Sequence, residues 1–221
     1  MTNLKFIVTA LQFWVPHYMK VVLHAEENLV FMLVAGTVIS ATSAGALSGG
    51  IITTKFLGSY TNKRSVIMCL VMLAILSGAC LPMSYVSDEF AFIGCVWVVM
   101  FCHGFIEPIF TGILLNSVGS DEGATASSVL IFMQMILGFL PAPYVYGVLV
   151  DHYPEIEESG ENVSPWGMRG VTFYSIVGVA TLFISILLRK SSPESERDAA
   201  NKSVLALTLG FDSPQRDQEL D

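Results

Sequence analysis

His103, Glu107 and Thr111 recur at steps of four in an otherwise apolar stretch. In a helix that spacing stacks the three side chains on one face, about two turns long. An ionised carboxylate near mid-membrane costs at least about 2 to 3 kcal/mol, so Glu107 must face protein or water and be either paired or protonated. An imidazole one turn away can exchange a proton with it near neutral pH, which is the chemistry of a proton-coupled carrier. The competing reading is a buried Glu that only hydrogen-bonds a neighbouring helix, with His103 as its partner. Gln12 and Trp14 in an earlier apolar stretch, and Gln134 in a later one, are the other polar or amphipathic groups at such depth. Gln12 and Trp14 can line the same cavity as Glu107 and grip a solute by amide hydrogen bonds and an aromatic face. Trp14 can equally serve an ordinary core contact.

The elements that must position these residues are membrane helices. A hydrophobic fraction of 53%, a charged fraction of 14% and a mean hydropathy of +0.62 leave too little polar surface to cover a soluble globule. Apolar windows of about 20 residues, the length a bilayer needs, run from Leu4 to Leu23, Leu29 to Thr53, Ser65 to Tyr85, Phe90 to Leu115, Ser127 to Val150 and Gly170 to Leu188. The expected fold is an all-α membrane protein with six transmembrane helices over residues 1–190. The polar, Ser-rich residues 191–221 read as a disordered cytosolic tail, in which Ser213-Pro214 is a possible phosphate acceptor.

Charge placement orients the spans. Acidic residues crowd the breaks after odd-numbered spans: Glu26, Glu27, Asp88, Glu89, Asp151, Glu155, Glu157, Glu158 and Glu161. Lys55, Lys63 and Arg64 lie between the second and third spans, and Arg189, Lys190, Arg197, Lys202 and Arg216 follow the sixth, whereas the other side has only Lys20 and Arg169. The positive-inside bias places both termini in the cytosol. The sequon Asn162-Val163-Ser164 then falls on the non-cytosolic side, and Asn201-Lys202-Ser203 in the tail should be silent. The opening segment reads as a span, since no small-residue cleavage site follows a short apolar core.

Gly36, Ser40, Ala44 and Ser48 follow one another at steps of four, with Gly45 and Gly49 beside them. One face of that helix is nearly free of side-chain bulk, so a neighbour can pack closely or slide there. Pro16, Pro82, Pro108, Pro141 and Pro143 are expected to kink their spans near cavities, or to make simple bends that fit the bundle. Cys69, Cys80, Cys95 and Cys102 all fall in spans without metal-like spacing, and read as small apolar core residues. No cofactor and no metal are expected.

Gly49-Gly50-Ile51-Ile52-Thr53-Thr54-Lys55-Phe56-Leu57-Gly58, followed by Asn62-Lys63-Arg64, resembles the glycine and basic loop between the second and third helices of each half of the major facilitator superfamily. Thr54 stands at the usual Asp position, with one extra residue before Gly58. Gln12-Phe13-Trp14-Val15-Pro16 is similar to the start of the seventh helix of the spinster-like branch. Pro141-Ala142-Pro143-Tyr144-Val145-Tyr146-Gly147-Val148-Leu149-Val150-Asp151 is similar to the end of its eleventh, and Ala124-Thr125-Ala126-Ser127 suits the loop before it. The resemblance covers Leu4 to Arg189 and implies the C-terminal six-helix half of a twelve-helix transporter, with Gly50, Lys55, Gly58, Lys63 and Arg64 as a cytosolic gating loop. It implies alternating-access transport of a small organic or lipid-like solute, with sphingolipid or lysolipid export as the branch's substrate class.

The chain then reads as a fragment whose N-terminal half is supplied in cis, or as a half that pairs with a partner in trans. The partners expected are a lipid bilayer and a small-molecule or lipid substrate, and no nucleic acid. An intramembrane hydrolase is the rival class. Against it, the sequence has no GxSG-type serine turn and no pair of intramembrane aspartates, and a His–Glu pair lacks a nucleophile. A non-transporting half bound to another membrane protein is the third reading.

Overall fold

Long apolar runs punctuated by Pro, Gly and short polar breaks give helices, because in an apolar setting every backbone donor needs a partner within its own segment. A computed structural model of the chain describes residues 1–57, 63–118, 122–152, 155–156, 162–163 and 166–191. In order these form α1 (Thr2–Val21), α2 (Glu27–Ile52) with a π turn over Thr53–Leu57, α3 (Lys63–Cys80) with a 3-10 turn over Pro82–Ser84, and α4 (Glu89–Ser117). Then come α5 (Gly123–Gln134), a second π turn (Met135–Phe139), α6 (Pro141–His152) and α7 (Trp166–Ser191). A two-residue antiparallel strand pair, Glu155–Ile156 with Asn162–Val163, joins α6 to α7. Met1–Phe183 forms one compact unit; of the second, Ile184–Asp221, the described part is the end of α7.

All six apolar windows fall on helix. Four stretches are long and apolar enough to cross a membrane: Glu27–Lys55, Glu89–Asn116, Gly123–His152 and Trp166–Ile184. The other two fall short for different reasons. Lys5, Gln12, His17 and Lys20 dilute the hydropathy of α1, yet Ile7, Ala10, Leu11 and Met19 within it are fully buried. A helix wrapped by protein has less need of an apolar outer face than one wrapped by lipid. The third, Arg64–Cys80, is simply shorter, and at about 1.5 Å per residue it reaches only about 26 Å. Phe31, Met32, Ile39, Leu47, Phe132 and Leu140 stay exposed, and this apolar rim is what a membrane protein presents to lipid.

The closest packing joins α2 to α4. A Cβ added at Gly45 would overlap the carbonyl oxygen of Phe101 and lie 2.9 Å from the Phe105 nitrogen; one at Gly104 would lie 2.5 Å from Thr42 O. The buried edge of α2 is Thr37, Ala41, Gly45 and Gly49. This corrects the expected stripe by one residue: Gly36, Ser40 and Ala44 are exposed, and Gly36 has open space beside it. Steps of four also place Gly45 and Gly49 on one line, and their missing side chains let the two backbones touch.

The prolines act in two ways. Pro16 and Pro108 lie inside uninterrupted helices, whereas Pro82 opens the turn that ends α3. Pro141 and Pro143 remove the donors that would reach Leu137 and Phe139. The ladder shifts register just before them, with Leu140 N donating to Met135 O at 2.9 Å, and the segment takes a π turn. At the end of α2 the cause is different. The Thr53 and Thr54 hydroxyls donate back to Gly49 O (2.7 Å) and Gly50 O (2.9 Å), competing with backbone donors and loosening the ladder.

Asp88 caps α4, accepting from Ala91 N at 2.7 Å. Asp88→Ala should lower stability by about 1 kcal/mol, read as a lower thermal unfolding midpoint in detergent, with Asp88→Asn retaining most of it.

Candidate functional site

α4 carries the polar stripe. His103 Nε2 lies 3.9 Å from Glu107 Oε2, an ion-pair separation too long for a hydrogen bond. The His103 side chain is 8% exposed and that of Glu107 43%. His103 is therefore held in the wall while Glu107 projects from it. His103 Nδ1 is buried without a hydrogen-bond partner, so the ring can pass a proton only through the nitrogen that faces the carboxylate, unless water enters behind it.

Thr111 shares the face but not the chemistry, since its hydroxyl donates to the Glu107 backbone oxygen at 3.0 Å. The structure thus unites two of the three stripe residues. Pro108 adds a polar group of another kind: with no N–H, it leaves the Gly104 carbonyl without its helical donor one turn from Glu107. The Gly104 face is pressed against α2 at Thr42 and Ala46, which fixes the rear of the α4 helix.

A residue the sequence reading passed over is Lys5, whose charge acts on His103 from α1. The signal was available as a lone cation early in an apolar segment. Its stem packs beside Gly138 of the second π turn, where a Cβ would meet Thr2 O at 2.8 Å and Lys5 Cβ at 3.1 Å. The π turn therefore abuts the same stretch of α1 that addresses His103. Gln134, which directly precedes that turn, is buried.

Among the described residues the contacts of Trp14 beyond its own helix run to α6, not to Glu107. Trp14 Nε1 donates to Pro143 O at 3.3 Å, and its ring stacks on Tyr146 at 4.7 Å and 15°. The indole is a packing element between α1 and α6, the ordinary contact that stood as the alternative to solute binding. Gln12 is exposed, and among the described residues no hydrogen bond or ion pair joins either side chain to Glu107. Trp14→Ala should lower stability by about 2 to 3 kcal/mol, seen as a fall in unfolding midpoint, and Trp14→Phe by less. A solute-binding role would instead leave stability unchanged while weakening uptake.

Four of the five residues of the expected gating loop are among the described residues. Gly50 lies in the last turn of α2, Lys55 in the first π turn, and Lys63 and Arg64 begin α3. Gly58 lies outside the described residues, as do Ser164 of the first sequon, the second sequon, Ser213-Pro214 and the tail over 192–221. Two cations at the start of α3 oppose its dipole, so helix stability does not account for their placement.

No family model matches the chain, and no curated protein matches it. The site has to be judged on its chemistry alone. Among the described residues no group of three His, Cys, Asp or Glu side chains could hold a metal. The four cysteines are free, with Cys69, Cys80 and Cys102 buried. A small, half-open apolar cleft lies between α1, α6 and α7, lined by Phe6, Tyr146, Leu149, Val171 and Tyr174. None of the stripe residues borders it.

Proposed function

We propose that this chain is one six-helix half of a secondary transporter of the major facilitator type, moving a small organic or lipid-like solute by alternating access. The His103–Glu107 pair couples protons to that movement or binds the solute. The observation that carries the reading is the exposure of Glu107. Its side chain is 43% exposed on a helix otherwise long and apolar enough to cross a membrane. Lipid is excluded as its neighbour by the cost of a carboxylate in hydrocarbon. The face it occupies must therefore border water or a second protein body, and in this reading it borders the water-filled cleft between two halves, the other half lying in cis or in trans.

The two π turns support the same reading, because each is a place where the helix ladder is already loosened and can bend at low cost. Lysolipid or sphingolipid is the substrate class implied by the spinster-like resemblance, with both termini cytosolic by the charge rule. The test is uptake of a fluorescent lysophospholipid into proteoliposomes of the full-length gene product, with an entrapped pH dye reporting protons. Flux driven by a pH gradient supports the proposal. Flux equal to that of empty liposomes defeats it for this solute class, and gradient-independent flux defeats the proton-coupled form.

A further inference from the structure

Arg169 stands in the first turn of α7, at the end of the bundle away from Lys55. Thr172 pins that turn to the end of α3, its hydroxyl donating to Cys80 O at 2.9 Å. The guanidinium lies 4.8 Å over the Trp166 ring and 5.9 Å from the Tyr85 ring, and its charge reaches Tyr18 of α1. Arg169 Nε is buried without a hydrogen-bond partner. Lys20, the other cation on that side by the charge count, is neutralised by Glu27 at 2.5 Å. Asp88, in the same connection as Tyr85, is committed to capping α4. Among the described residues no carboxylate pairs with Arg169.

Among the described residues such an arrangement is incomplete. Ring faces hold a guanidinium by its π surface and do not satisfy its in-plane Nε–H, which is buried here without an acceptor, and an unmet buried donor costs about 1 to 3 kcal/mol. A cation in the first turn of a helix also adds to the positive end of the helix dipole. An oxyanion resolves both at once: it accepts from the guanidinium fork, offsets its charge and suits the helix terminus. Tyr85, 77% exposed, is the wall free to swing aside for it.

We propose that Arg169, walled by Trp166 and Tyr85, binds an oxyanion, a phosphate or carboxylate group, at this end of the bundle. Its source is either a lipid headgroup or a free anion. Purified protein in detergent, followed by tryptophan emission, separates them, with Trp166→Phe identifying the responding ring. One arm titrates inorganic phosphate; the other titrates phosphatidylglycerol against phosphatidylcholine. A saturable change at Trp166 that Arg169→Gln abolishes and Arg169→Lys weakens at least about tenfold is the expected result. Response in both arms marks a free oxyanion, and response to phosphatidylglycerol alone marks a headgroup. No saturable response in either arm, or equal affinity in Arg169→Lys, overturns the proposal. The lysine variant keeps the test available should Arg169→Gln not fold.

Discussion

Gly45→Leu should leave no folded bundle. Any Cβ at that position overlaps the Phe101 carbonyl oxygen, and a backbone carbonyl cannot rotate away as a side chain can. The two helices must part along their whole contact, which also passes Gly49 and Gly104. Small-to-large changes in a tight core cost about 1 to 3 kcal/mol; with backbone as the obstacle the loss should exceed about 3 kcal/mol, enough to remove most of a marginal stability. The measurement is the monodisperse fraction in size-exclusion chromatography after extraction, with the unfolding midpoint of whatever remains. Gly36→Leu is the control: it faces open space and should change stability by no more than about 0.5 kcal/mol. Equal damage at Gly36 would move the packing edge back to the stripe of Gly36, Ser40 and Ala44.

Under the transport reading, Glu107→Gln should cut gradient-driven uptake at least about tenfold, equivalent to about 1.4 kcal/mol of lost coupling. Gln keeps the shape and hydrogen-bonding atoms of a protonated Glu but can neither ionise nor attract His103. The carrier is then fixed in its protonated guise, so solute exchange without a gradient should persist while the response to pH disappears. His103→Asn should have a smaller effect, because the carboxylate is the projecting member of the pair and the imidazole sits in the wall. Unchanged pH dependence in Glu107→Gln would remove the proton-coupling role from this residue.

Helix positions were readable from sequence because apolar run length and Pro or Gly punctuation act locally. The fifth apolar window, Ser127 to Val150, sits inside the observed Gly123–His152 stretch, and Pro141 and Pro143 marked where that stretch would deviate. The kind of deviation was not readable, since a π turn depends on which carbonyls find new donors. The small edge of α2 was legible as a composition but misplaced by one residue, because steps of four fit two adjacent lines equally and only the partner helix selects between them.

In the site, the i, i+4 relation of His103 and Glu107 followed from helix geometry. Thr111 obeys the same spacing but turns its hydroxyl to the backbone, a choice that spacing does not determine. Trp14 shows the converse: its partners, Pro143 and Tyr146, are over 120 residues away in the chain, and no local pattern names them. Lys5 was overlooked because a cation near the start of a segment looks like a flanking charge.

The central claim, that the Glu107 face of α4 borders water and not lipid, is tested most directly by cysteine accessibility. Single cysteines at 107, 106, 109 and 132, in a background lacking the four native ones, are treated with a hydrophilic, membrane-impermeant thiol reagent in intact proteoliposomes. Position 107 should react readily, buried Ile106 and Ile109 not at all, and exposed apolar Phe132 hardly, because a thiol facing hydrocarbon does not ionise and does not meet the reagent. A cysteine at 107 that is as inert as one at 132 would contradict the account.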